Sequence, residues 1–155
     1  MANVPGLRSP YVKVGRLVFF GRMIDKIRLL AAGKLPAEYV ANYGDTQQPT
    51  VFDARCCRFL GVAHAALVDQ VATGKSEEAL LAWCHEIGGP RTDEQCYIWN
   101  HFMMKRGWRD EANEGLQFRL REAGLQNRTD LLTFFDFIDA DEGRDPAATR
   151  LLAAK

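Results

Sequence analysis

The sequence predicts an all-α fold, a compact single-domain bundle of about eight short helices with an aromatic core. Three observations predict it. Eight of the 13 glycines close a stretch of helical spacing or an acidic turn, at Gly33, Gly44, Gly61, Gly74, Gly88, Gly107, Gly124 and Gly143. Glycine just past a helix is favoured because the left-handed closing residue carries no Cβ penalty. Start signals agree with these stops: Thr50 with Asp53, Ser76 before Glu77 and Glu78, and Thr92 with Gln95 each place an oxygen acceptor ahead of free backbone donors. Apolar residues between the starts and stops recur with the helical period.

In chain order, residues 1–10 read as flexible or peripherally docked. Leu17 to Phe20 is the single short apolar run that hints at a strand, and it lies between Gly15 and Gly21. From Arg22 to Ala32 a helix presents Met23, Ile24, Ile27, Leu30 and Ala31 as one stripe. Residues 45–49 read as a flexible stretch. From Asp93 to Arg106 a second stripe comprises Ile98, Trp99, Phe102 and Met103. The run LLTFFDFI from Leu131 to Ile138 is apolar nearly all round, so it is expected to be buried on most sides and central to the core. Asp145 and Pro146 cap and open a last helix, and residues 146–155 read as a docked helix or a frayed end. The expected core aromatics are Trp83, Trp99, Phe102, Phe134 and Phe135.

At 155 residues the chain is sized for one domain, residues 1–155, and needs no disulfide or metal staple. Twenty Lys plus Arg balance 20 Asp plus Glu, and zero net charge argues against a general nucleic-acid binder. No apolar run approaches the roughly 18 residues of a membrane span, and the N-terminus lacks the apolar segment of a signal peptide. The expectation is a cytoplasmic protein with neither nucleic-acid nor membrane partners. The zero total conceals an asymmetry: residues 1–75 carry 10 basic and 5 acidic groups, and residues 76–155 carry 10 basic and 15 acidic groups. The acidic segment 136–145 either docks on the basic N-terminal segment or leaves it facing an anionic ligand.

Signatures of catalysis are sparse. Cys56, Cys57, Cys84 and Cys96 contain no Cys-x-x-Cys pair, and adjacent cysteines are about 3.8 Å apart at Cα, too close for an ordinary bridge. Cys84–His85 and Cys96–His101 lack the i, i+4 spacing of paired metal ligands, so no metal and no cofactor are expected. The string from Asp139 to Arg150 fails as a calcium loop at its fifth, sixth and twelfth positions. Nucleophilic-serine and phosphate-loop motifs do not occur. A basic constellation remains. Arg22 and Lys26 are like charges four apart on one helix face, which is unfavourable unless an anion sits between them. Arg28 flanks them, and Arg55, Trp108 and Arg109 add anion-binding groups near helix ends.

Four strings, RMIDKIRLLAAGKLP (Arg22 to Pro36), FDARCCRFLGV (Phe52 to Val62), MKRGWRDE (Met104 to Glu111) and TFFDFIDADEGR (Thr133 to Arg144), resemble a bacterial family, the domain of unknown function numbered five-thousand-and-sixty-nine. The resemblance implies a compact, freestanding helical domain and carries no activity, cofactor or catalytic residue. The function expected from the residues is a small binding module for an anionic small molecule or partner. Its candidate ligand-binding residues are Arg22, Lys26, Arg28, Asp53, Arg55, Cys57, Trp108 and Arg109. The alternative is an enzyme on an anionic substrate, with Asp53 as acid or base and Cys56 or Cys57 as nucleophile.

Overall fold

The structure, a computed structural model, describes residues 3–154. Among these residues are eight α-helices: α1 (Phe20–Ala31), α2 (Phe52–Leu60), α3 (His64–Val71), α4 (Glu77–Gly88), α5 (Asp93–Lys105), α6 (Asn113–Glu122), α7 (Phe134–Asp141) and α8 (Pro146–Ala153). A 3-10 helix, Ala37–Asn42, lies between α1 and α2. The hint of a strand near Leu17 resolves into an isolated bridge between Val14 and Leu17.

Local sequence chemistry accounts for most of the helix ends. Ser76 Oγ accepts the N–H of Ala79 (3.2 Å), and Thr92 and Gln95 exchange side-chain and backbone bonds as a reciprocal capping box. Asp145 Oδ1 accepts from Ala147 N, with Pro146 in the first helical position. Thr50 does not cap α2. The residue preceding that helix is Val51, no side chain caps it, and Asp53 is turned inward instead. Gly61 closes α2 with φ of 72°, in the left-handed region. Gly88 works differently from a closing glycine, since it is the last residue of α4 itself. A Cβ there would fall 1.7 Å from the Leu60 carbonyl oxygen. Gly88→Ala must therefore push α2 and α4 apart, and we expect a loss of about 1–3 kcal/mol in denaturant unfolding.

At the centre of the molecule is α1. All residues from Phe20 to Ile27 are buried, whereas Leu30 and Ala31 at the end of the expected stripe are exposed. This corrects the central role assigned to residues 131–138. In that segment α7 begins only at Phe134, Leu132 is 51% exposed, and of its aromatic residues Phe135 alone is fully buried. The Phe135 ring packs edge-on against Tyr11 (5.2 Å between centroids) and Phe52 (5.9 Å), and stacks on Phe19 (6.2 Å). Trp99 is buried with them, Trp83 and Phe134 are half-buried, and Phe102 is 39% exposed, so Phe102 does not belong to the core.

The inner face of α5 is correspondingly rotated from the expected stripe, to Cys96, Trp99, Asn100 and Met103. Hydrogen bonds turn it. Asn100 accepts from Val18 N (3.0 Å) and donates to Arg16 O (2.7 Å), and Trp99 Nε1 donates to Val18 O (3.2 Å). The loop between the N-terminal segment and α1 has no helical partners of its own, so a buried asparagine satisfies it. Around this core α7 packs on α5, α6 and α8, while α3 packs on α1, α2 and α4.

Candidate functional site

Two charged centres lie at the heart of the fold, and an open cleft lies to one side. In the first centre the acidic C-terminal segment meets the basic N-terminal one. Arg22 Nη1 and Nη2 donate to Glu142 Oε1 (2.9 Å) and Oε2 (2.6 Å), a bidentate pair with both side chains buried. Tyr39 donates to Glu142 Oε2 (2.8 Å), and Arg144 donates to Glu142 Oε1 (2.6 Å) and to Asp139 Oδ1 (3.0 Å). Ser9 and Thr149 hydroxyls both donate to Asp139 Oδ2 at 2.6 Å. Arg8 grips Asp25 through Nε and Nη2 and pairs with Glu77. Burial works to raise the Glu142 pKa, but hydrogen bonds and charge from Arg22 outweigh it, leaving Glu142 below the ordinary glutamate value.

The second centre lies between α1, α2 and α3. Lys26 Nζ sits 2.6 Å from Asp53 Oδ1 and donates to Asn42 O (2.8 Å), while Asp53 Oδ2 accepts the N–H of Gly44 (2.9 Å). Burial pulls the Lys26 pKa down, opposed by the charge of Asp53. Phe19, whose ring centroid is 5.6 Å from Lys26 Nζ, holds φ at 73°. A bulky side chain in the left-handed region is strained, and the rings of Phe52 and Phe135 pack against Phe19 to hold it there. Cys56 and Cys57 are buried next to this centre. Burial drives the Cys56 thiol well up and pushes Cys57 up to about 12, so neither is a thiolate near neutrality.

At the edge of this centre His64 is buried. Its backbone N–H donates to Asp45 Oδ2 (2.9 Å), its ring packs edge-on to Tyr43, and its Nε2 meets no partner among the described residues. Burial lowers its pKa, with Asp53 and Asp45 opposing and Lys26 assisting. The folded state thus holds His64 neutral at pH values where the unfolded chain, with a value near 6.5, takes up a proton. Stability should accordingly decrease as pH falls below about 6.5. Thermal unfolding from pH 7.5 to 5.5 should show that decrease, and His64→Gln should flatten it.

A cleft of about 780 Å³ opens between α5, α7, α8 and the N-terminal segment. Tyr97, His101 and Lys105 line it from α5, Trp108 from the following turn, Lys13 from the N-terminal segment and Arg150 from α8. At its base Asp136 accepts from Tyr11 Oη (2.7 Å), Arg150 Nε (2.9 Å) and Leu132 N (3.1 Å). Asp130, the other acid of the lining, is held by Arg128 (2.7 and 2.8 Å). Both carboxylates are therefore engaged, whereas Lys13 and Lys105 have no carboxylate partner among the described residues. Trp108 is 44% and Tyr97 61% exposed.

The sequence model of a family described as a domain of unknown function, DUF5069, matches residues 4–144. The chain belongs to that family. No curated protein matches it. The DUF5069 match takes in both buried centres except Thr149 and ends just before α8, which supplies Thr149 to the first centre and Arg150 to the cleft.

In this DUF5069 chain the eight singled-out residues do not form one constellation. Lys26 and Asp53 are in contact, with Cys57 buried nearby. Arg22 lies one turn away on α1 and faces Glu142. The anion that the Arg22–Lys26 spacing required is supplied by the chain itself, as Glu142 for one and Asp53 for the other. Arg28 is exposed and donates to Lys75 O (3.3 Å). Arg55 lies over Phe102, and Arg109 over Trp108 at the cleft rim. Lys13, Tyr97, His101, Lys105 and Arg150 were not singled out, because they converge from separate elements and share no spacing.

Proposed function

We propose that the protein is a small binding module whose cleft takes a small molecule carrying an anionic group and a planar ring. The observation that carries this reading is the meeting of Lys13 and Lys105, which have no carboxylate partner among the described residues, with the exposed rings of Trp108 and Tyr97 around one cleft. Its volume of about 780 Å³ falls in the ordinary range for small-molecule sites, roughly 300–1,000 Å³. Aromatic faces favour a planar ring, and the lysines with Arg150 favour its anionic substituent.

The enzyme alternative built on Asp53 and a thiol has less support, since Asp53 and both cysteines are buried and the thiols are held protonated. Buried cysteines carried as free thiols suit a reducing compartment. We propose on this ground that the protein is cytoplasmic. Among the described residues no helix is long and apolar enough to cross a membrane.

A thermal-shift screen of aryl carboxylates and of aryl and nucleoside phosphates tests the proposal. A ligand present at 100 times its Kd stabilises by about 2.7 kcal/mol. The expected result is a saturable rise in Tm that weakens at least tenfold in ligand concentration in Lys105→Gln and in Trp108→Ala. A rise that survives intact in both variants, or no rise across the set, overturns the cleft assignment.

A further inference from the structure

Arg55 projects from α2 with its guanidinium carbon 5.3 Å from the centroid of the Phe102 ring, and Arg106 brings a second guanidinium to 5.7 Å from the same centroid. The ring is 39% exposed, so this corner between α2 and the end of α5 is open to solvent. Arg55 Nε, however, is buried and meets no acceptor among the described residues. A buried N–H without an acceptor is rare enough in native structures to require an explanation. The ring face attracts the charge of the guanidinium but does not satisfy its N–H groups.

The surrounding charges point the same way. Arg58, one turn along α2, spends a guanidinium N–H on the Pro49 carbonyl (2.6 Å) and, like Arg55, has no carboxylate partner among the described residues. Arg106 holds the nearby acids, with Glu111 at 2.8 Å and Asp110 at 3.3 Å. Asp110 is anchored by the backbone N–H groups of Gly107 and Ala112, whereas the Glu111 side chain is 79% exposed. Burial, then repulsion from Arg106 and Arg58, weakens the hold of Arg55 on its proton, and Glu111 offsets this only in part. Two arginines at one ring, with a third a turn along α2 and the local acids already engaged, are what a multiply charged oxyanion would neutralise.

We propose that Arg55 and Arg106 at the exposed ring of Phe102, with Arg58 a turn along α2 from Arg55, form a binding site for a phosphate group, distinct from the cleft. Arg55 turns outward to bring its Nε to the phosphate, which bridges to Arg106 and displaces the exposed carboxylate of Glu111. This site shares no residue with the cleft and stands whether or not the cleft binds a ligand.

The test titrates inorganic phosphate into the full chain at constant ionic strength, with sodium chloride as the balancing salt, and follows binding by calorimetry and Tm. Glycerol 3-phosphate forms a second arm, and its affinity relative to inorganic phosphate distinguishes a phosphate ester from the free ion as the ligand. The expected result is saturable binding that weakens at least tenfold in Arg55→Gln and is unchanged in Lys13→Gln/Lys105→Gln. Glu111→Gln should tighten it severalfold by removing the competing carboxylate. Without phosphate, Arg55→Gln should keep or raise the Tm, because the substitution removes an unsatisfied donor and a like charge. Equal affinity in Arg55→Gln overturns the proposal, as does a Tm response that chloride reproduces. Should Arg55→Gln fold poorly, unchanged affinity in the surface variant Glu111→Gln overturns it independently.

Discussion

Replacing Glu142 with Gln is expected to lower stability by about 3–5 kcal/mol, the cost of leaving a buried charge without its partner. Glutamine preserves the size of the side chain and still offers Tyr39 an oxygen. It cannot accept the bidentate pair from Arg22 and also serve Arg144, so two arginines lose a carboxylate at once. The loss should appear in urea unfolding at pH 7 as a lower midpoint with an unchanged slope. It should also depend on pH in a defined sense. The folded-state pKa of Glu142 is depressed, so its stabilisation is present above the ordinary glutamate value and disappears as pH falls through the lowered one. Wild type and Glu142→Gln should therefore converge on acidification. A loss below about 1 kcal/mol at pH 7, the range of an exposed pair, would contradict the buried geometry.

Asp53→Asn is expected to cost a similar 3–5 kcal/mol, for a reason that a second substitution exposes. Asparagine can keep the bond to Gly44 N, so what is lost is the countercharge to Lys26, which is only 4% exposed. Removing the stranded ammonium should then restore stability. We expect Lys26→Met/Asp53→Asn to recover most of the loss and to lie within about 2 kcal/mol of wild type, because an apolar replacement of a buried ion pair is often close to neutral. The double-mutant cycle measures this coupling directly. A double variant as unstable as Asp53→Asn alone would show that the pair is not an isolated charge balance.

These two pairs also mark where sequence reading stops. The like-charge spacing of Arg22 and Lys26 correctly demanded an anion, since i, i+4 geometry is fixed by the helix itself. The charge asymmetry offers segment 136–145 as one source of that anion, but it does not single out Glu142, which lies 120 residues from Arg22 with no local rule to pair them. Ser76, Thr92 and Asp145 were legible for the same reason that Thr50 was not. The first three bond to backbone within three residues, whereas Asp53, the partner in the pattern that marked Thr50, is drawn away to Lys26. Hydrophobic periodicity sets the α5 face roughly one residue's rotation away from its observed position, because the inward position is filled by Asn100, a polar side chain that periodicity assigns to solvent. The cleft was invisible in outline, its lysines and aromatics being contributed by elements that only the tertiary fold brings together.

The contact between Arg22 and Glu142 also bears on how the chain folds. Ser9 and Asp139, 130 residues apart, are joined in the same network. Neither end can neutralise its buried charges until the other has arrived, so α1 and α7 must commit together and late, after long loops have closed. A fragment that stops before α7 would hold Arg22 at its centre with no carboxylate to meet it. Hydrogen exchange should accordingly find the amides of α1 and α7 opening in one cooperative step with the same free energy, even though five other α-helices lie between them in the sequence.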